Sequence, residues 1–213
     1  VEMPGALDFA SRLRQAGIVP SCGHTAAGYE QMEEAKQAGV VNLTHFCNQM
    51  TGLHHRAVGL VGAGLLDDEL FLEIICDRVH LCPEMIELVF RTHAIEHLGL
   101  VTDAIRATGL PDGPYNLGGL PITVRNGEAR LDSNGALAGS TLRMHQALRN
   151  VREITGLSLP DLVRTTSLNQ AENLGLENIG RLEPGYHADF VILGDDFEPC
   201  STWVGGACRW SRG

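Results

Sequence analysis

Short, almost uninterrupted apolar runs alternate along the chain with stretches whose apolar positions recur at three- and four-residue spacing. The runs Ile18 to His24, Val40 to His45, Leu72 to Asp77 and Leu100 to Asp103 have the near-continuous character of strands buried on both faces of a parallel sheet. Between them, Ala6 to Ala16 stopping at Gly17, Tyr29 to Ala38 stopping at Gly39, and Glu84 to about His97 behind Pro83 have helical periodicity. The segment Asn48 to Gly64, rich in Gly, His and Thr, reads as a long functional loop. Strands and helices in this order, joined by short connections, demand a parallel sheet with right-handed crossovers.

Beyond Asp103 the period changes. Leu120 to Val124 and Glu128 to Leu131 alternate around Arg125-Asn126-Gly127, an Asn-Gly hairpin signature that predicts an insertion over about 115–135. Leu137-Ala138-Gly139-Ser140-Thr141 is expected to open a helix running to about Ile154. Leu159 to Leu174 predicts another, N-capped by Ser158 with Pro160 in its first turn. Ala188 to Leu193 and Thr202 to Val204 read as strands of a small accessory sheet without catalytic residues, so the chain divides into a catalytic unit over 1–182 and an accessory segment over 183–213. No internal repeat, low-complexity tract or long linker is evident.

With 16 Lys+Arg against 26 Asp+Glu and a formal charge of -10, the chain has no electrostatic footprint for nucleic acid. Its apolar stretches fall far short of the roughly 20 residues that span a bilayer, and no basic segment precedes an apolar one at the start, so a cytoplasmic protein is expected. Of the six cysteines, no two have C-x-x-C spacing, which predicts reduced, buried thiols. Cys22 and Cys47, within two residues of His24 and His45, leave thiolate ligation open.

The chemistry gathers at the ends of the apolar runs. Two close on His24 and His45, one on Asp103, and the run ending at Asp77 is followed at once by His80. Parallel strands that each deliver an imidazole or a carboxylate at the C-terminal end converge on one site, and that donor set suits metal-assisted hydrolysis. A lone histidine at a strand end is more often a hydrogen-bonded structural residue. Asn48 can cap a turn, Arg56 can be a solvated charge, and His54 and His55 can be loop packing. His93, His97, His145 and His187 fall on helices or in the tail, where surface placement is expected.

The motifs Gly23-His24-Thr25, Thr44-His45-Phe46-Cys47-Asn48, His55-Arg56, Asp77-Arg78-Val79-His80, Val101-Thr102-Asp103-Ala104 and Leu137-Ala138-Gly139-Ser140-Thr141, in this order, resemble the N-acetylglucosamine-6-phosphate deacetylases of the amidohydrolase superfamily. The likeness extends to the tail Gly185-Tyr186-His187-Ala188-Asp189-Phe190-Val191-Ile192-Leu193, similar to that superfamily's returning β-sandwich segment. It implies that His24 and His45 bind a divalent ion, zinc first, with iron or another ion as alternatives. It also implies that His80 polarises the acetamide carbonyl, and that Asp103 takes a proton from the attacking water and hands it to the departing amine. Asn48, Arg56, His80, Leu137, Gly139 and Ser140 would contact the amino-sugar phosphate, with Arg56 reaching a neighbouring subunit's site in a homodimer.

The fold so implied is the C-terminal half of a metal-dependent (β/α)8 TIM barrel, with a β-hairpin insertion and part of a β-sandwich; a whole barrel takes eight strands and about 250 residues. The metal-binding glutamate expected from an earlier strand lies ahead of this sequence, and Glu2 lacks its surrounding motif. A complementing N-terminal half is therefore an expected partner, and open sheet edges are an expected liability. Arg78, Gln49, Val58 and Gln170 stand where the resemblance expects glycine, alanine, proline and proline. Deacetylation of N-acetylglucosamine 6-phosphate leads, with the galactosamine epimer or a catalytically silent structural fragment as alternatives.

Overall fold

The computed structural model describes residues 1–213. Four strands, β1 (Ser21–Cys22), β2 (Asn42–Leu43), β3 (Phe71–Ile75) and β4 (Leu98–Val101), form one parallel sheet in the order β1-β2-β3-β4. Ser21 pairs with Asn42, Leu43 with Leu72, and Leu72 with Leu98. The first two ladders are far shorter than their apolar runs, because His24 and His45 adopt left-handed backbone conformations (φ 37° and 38°) that cannot extend a strand.

Helices α1 (Ala6–Gln15), α2 (Tyr29–Gln37), α3 (Gly59–Leu66) and α4 (Pro83–Thr92) precede or link these strands. Helix α3 corrects the reading of 48–64 as loop throughout. Its eight residues are apolar or glycine, so no amphipathic stripe marks it, and Leu60, Val61, Gly62, Ala63 and Gly64 are all buried. Gly64 allows a close approach: a Cβ there would lie 2.5 Å from Phe46 Cε2.

The expected helix over 84–97 breaks at His93, whose backbone turns extended so that its buried ring can meet the Leu70 carbonyl (Nε2 to O, 2.9 Å); a 3-10 turn follows over Ile95–His97. His93 is therefore a core residue, not a surface one. The expected helix over 159–174 is two, α6 (Leu159–Arg164) and α7 (Leu168–Asn173), after α5 (Met144–Thr155). Between α6 and α7 the Thr165 and Thr166 hydroxyls donate to the Leu162 and Val163 carbonyls, the local competition that disfavours a continuous helix. Ser158 caps α6 as expected, its Oγ accepting from the Asp161 N–H.

That α6–α7 corner covers one sheet edge. Leu100 N–H donates to the Thr165 carbonyl (2.7 Å), and Asn169 Nδ2 and Gln170 Nε2 donate to the Leu98 and Leu100 carbonyls (2.8 and 3.2 Å). The expected open edge at β4 is thus covered by hydrogen-bonding groups of the α6–α7 corner, with Gln170 supplying a bond that proline could not; neither β1 nor β4 pairs with a further strand on its outer side.

The hairpin belongs to a three-stranded antiparallel sheet, β5 (Gly113–Leu117), β6 (Leu120–Arg125) and β7 (Glu128–Leu131), over a small core of Ile105, Ala107, Ile122, Val124, Ala129 and Ala138. A second antiparallel sheet, β8 (Phe190–Leu193), β9 (Pro199–Val204) and β10 (Ala207–Ser211), ends the chain, with Phe190 stacked on Trp203. The main core lies between the parallel sheet and its helices, around Leu43, Phe46, Leu60, Leu72, Ile74, Ile86 and Leu100.

Gly64→Ala separates two opposing effects. Alanine relieves the backbone entropy cost of glycine in a helix, about 0.5–1 kcal/mol, but its methyl collides with a fully buried phenyl ring, and overpacking costs about 1–3 kcal/mol. A net loss of about 1–2 kcal/mol in urea denaturation is expected; a more stable variant would refute this packing account.

Candidate active site

Nine non-glycine residues have positive φ, and six of them, His24, His45, Cys47, Gln49, Arg78 and Asp103, stand just beyond the C-terminal ends of the parallel strands. Each such conformation costs about 1–2 kcal/mol, so the strain is concentrated where the sequence placed the chemistry. Hydrogen bonds hold it there. Thr25 N–H donates to the Gln49 carbonyl (2.9 Å), Thr51 Oγ1 to the Ala27 carbonyl (2.5 Å), and Asn48 N–H and Nδ2 to the His45 carbonyl (3.0 Å each).

The rings of His24 and His45 lie 4.7 Å apart, centroid to centroid. Burial pushes the pKa of His45 below its usual value; His24 and His80 nearby push the same way, against the Asp103 carboxylate. His45 is therefore neutral near pH 7, and its Nδ1 is buried without a hydrogen-bond partner. Two adjacent imidazoles, one with an orphaned nitrogen, match a divalent transition ion in kind of donor. They do not match it in number, since no three His, Cys, Asp or Glu side chains cluster as a metal site. Burial raises the pKa of Cys22 and pushes Cys47 up to about 12, and neither thiol joins the two imidazoles in a cluster of three donors. All six cysteines are free, as expected, but only Cys22 and Cys76 are buried; Cys82 and Cys208 are exposed.

His80 Nδ1 lies 2.6 Å from Asp77 Oδ2, while Asp77 Oδ1 accepts the Val79 and His80 N–H groups (2.8 Å each). Burial raises the pKa of Asp77, but these bonds outweigh it and the carboxyl sits below its usual range.

Asp103 is joined to the segment expected to begin a helix. That segment is instead extended, with α5 starting only at Met144. Leu137 bridges Arg130 of the β5–β7 sheet, and Ser140 bridges Ala104. Ser140 N–H donates to the Asp103 carbonyl (2.8 Å), and Ile105 N–H to the Ser140 carbonyl (2.9 Å). Gly139, at φ 62°, lies against Asp103: a Cβ would come within 3.0 Å of its carbonyl oxygen and 2.6 Å of Ile105 Cγ2. The small sheet thus delivers a wall of the site. Ser140 itself is buried, its hydroxyl donating to the Thr102 carbonyl and accepting from Leu142 N–H.

The Asn48 amide is engaged in its own turn, donating also to the Phe46 carbonyl (3.3 Å). Arg56 lies on an exposed turn closed by a bridge between His54 and Ala57, its Nη1 2.7 Å from His55 Nε2. A cavity of about 270 Å³ lined by Leu168, Glu172, Arg181 and Tyr186 lies away from all these residues, beside α7.

A family model for the amidohydrolase family matches residues 2–208. The chain belongs to the amidohydrolase family. Among its relatives in this family, an N-acetylglucosamine-6-phosphate deacetylase of Lysinibacillus sphaericus is 43% identical over 98% of this chain and 54% of its own length. An N-acetylgalactosamine-6-phosphate deacetylase of Escherichia coli O157:H7 is 40% identical over 96% of this chain and 54% of its own length. A solved structure of a mutant N-acetyl-D-glucosamine-6-phosphate deacetylase from Mycobacterium smegmatis, in complex with N-acetyl-D-glucosamine-6-phosphate, superposes with a TM-score of 0.93 at 36% identity, covering 97% of this chain and 55% of that one. The chain spans about half the length of these amidohydrolases. Deacetylases of the family are generally metal-dependent.

Two acidic residues at the site escaped the sequence reading in their roles. Asp77 carries a usable signal, a strand-end Asp three residues before a His, the spacing of a local side-chain turn. Glu2 carries none: its carboxylate accepts from Thr25 Oγ1 and from Ala26 N–H (2.8 Å), and these bonds, Thr25 first, hold its pKa well below the usual range. Glu2 thus fixes the turn behind His24.

His45 and His93 are both held neutral by burial. The unfolded chain takes up protons below pH about 6.5 while these rings in the folded state do not, so their contribution to stability is complete above that pH and declines as pH falls toward their lowered folded values. The urea midpoint is expected to drop between pH 7.5 and 5.5; an unchanged or higher midpoint would contradict the burial of these rings.

Proposed function

We propose that this chain is the C-terminal half of a (β/α)8 barrel that hydrolyses the N-acetyl group of N-acetylglucosamine 6-phosphate to glucosamine 6-phosphate and acetate. The observation that carries the reading is the gathering of His24, His45, His80 and Asp103 at one end of a parallel sheet, where such barrels build their sites. The names of the relatives supply the substrate class. In this reading residues 1–182 are catalytic, with the β5–β7 sheet inserted, and 183–213 are part of an accessory β-sandwich.

An amide is a weak electrophile attacked by a weak nucleophile, water. Asp103, exposed at its strand end and backed by Gly139, takes the proton from the attacking water and returns it to the nitrogen as the C–N bond breaks. His80, fixed from behind by Asp77, holds the acetamide oxygen. Asn48 and Leu137 flank the sugar, and the Arg56 guanidinium takes the phosphate by paired hydrogen bonds, across a homodimer interface. His24 and His45 supply two donors to a divalent ion, zinc first and iron or another ion second, completed by donors outside this chain. Such an ion supplies water activation and carbonyl polarisation. The site of action is the cytoplasm; no helix here is long and apolar enough to cross a membrane.

The galactosamine epimer is a second reading, favoured by the Escherichia coli relative. Acetate release by the full-length protein, measured with both epimers, separates the two. Asp103→Asn is expected to lower kcat by about 10²–10⁴-fold, the usual worth of a general acid–base; a variant of undiminished activity would refute the role of Asp103.

A further inference from the structure

The turn carrying His80 is fixed more tightly than its backbone alone would allow. Arg78 adopts φ 67°, a left-handed conformation at which a non-glycine residue is strained. Two side-chain bonds to α5 hold it in place: Arg78 Nη2 pairs with Glu153 Oε2, and Asn150 Nδ2 donates to the Cys76 carbonyl (2.8 Å). Inside this clamp the Asp77 carboxylate is fully committed, Oδ1 to two backbone N–H groups and Oδ2 to His80 Nδ1. The two side chains are only 13% and 7% exposed, so water does not compete for the contact.

We propose that Asp77 is a positioning residue that selects the tautomer of His80, keeping a proton on Nδ1 and leaving Nε2 as the nitrogen presented to the substrate. A carboxylate has no proton to donate and accepts one only from an Nδ1–H ring. With Nδ1 so engaged, Nε2 can donate to an acetamide oxygen only when the ring carries a positive charge, which the carboxylate behind it balances. The inference rests on the deacetylase reading for the identity of the substrate, but not for the tautomer.

Asp77→Asn tests it. The amide oxygen keeps the two backbone N–H bonds, while its NH2 group faces Nδ1 and favours the opposite tautomer, with the proton on Nε2. In the full-length protein, imidazole 15N shifts of His80 are expected to report a protonated Nδ1 in the wild type and an unprotonated Nδ1 in Asp77→Asn. For kcat of acetate release, a fall of about 10²-fold with KM changed less than threefold is expected, within the range of proton-transfer effects. Asp77→Glu, which restores a carboxylate, should recover the wild-type 15N pattern. Identical 15N patterns in wild type and Asp77→Asn would overturn the proposal. A tautomer switch in a protein that releases no acetate from either sugar would sustain the role of Asp77 and refute the deacetylase reading instead.

Discussion

The parallel ladder has to stop, and how it stops governs the rest of the molecule. Strands β1, β2 and β4 give way within two residues to a left-handed residue, and in each case that residue is a candidate site residue: His24, His45 or Asp103. A residue in that conformation turns its side chain out of the strand register, so the rings and carboxylate leave the alternation that would bury them. The conformations are unfavourable one by one and persist because neighbours over-determine them. Gln49 and Glu2 secure the turn after β1, Asn48 the turn after β2, and the 137–141 segment the turn after β4. The buried sheet beneath, with Leu43, Leu72, Ile74 and Leu100 almost free of solvent, supplies the rigid base against which that strain is held.

Much of this could be read from residue order alone. Apolar runs ending in His or Asp identify a parallel sheet and the end of it at which His24, His45 and Asp103 gather, because continuous hydrophobicity and strand-end residue type are both local properties. What could not be read is non-local or conceals its own signal. Helix α3 has no polar face, so period-based reading sees only glycine and loop. Leu137–Thr141 looks like the first turn of a helix, yet backbone bonds to β4 and to the small sheet hold it extended. Ser140 stands in the right motif but turns its hydroxyl inward to Thr102. The covering of β4 depends on Thr165, Asn169 and Gln170, more than sixty positions along the chain from the strand they satisfy.

The two edges of the parallel sheet differ in what covers them. Its β4 edge is covered by its own α6–α7 corner, its β1 edge is not, and the chain's two neighbouring imidazoles, His24 and His45, have no third donor clustered with them. The chain matches about half the length of its amidohydrolase relatives. The Asp103 turn and the Asp77–His80 pair are held by hydrogen bonds from within the chain.

The central claim, that four strand ends form one substrate site, is tested most directly by titrating the isotope-labelled full-length protein with N-acetylglucosamine 6-phosphate and following backbone amide shifts. The account predicts saturable perturbations confined to the turns carrying His24, His45, His80 and Asp103, together with the 137–141 segment. Perturbations centred on the α7 cavity or the β8–β10 sheet, with those turns silent, would contradict it.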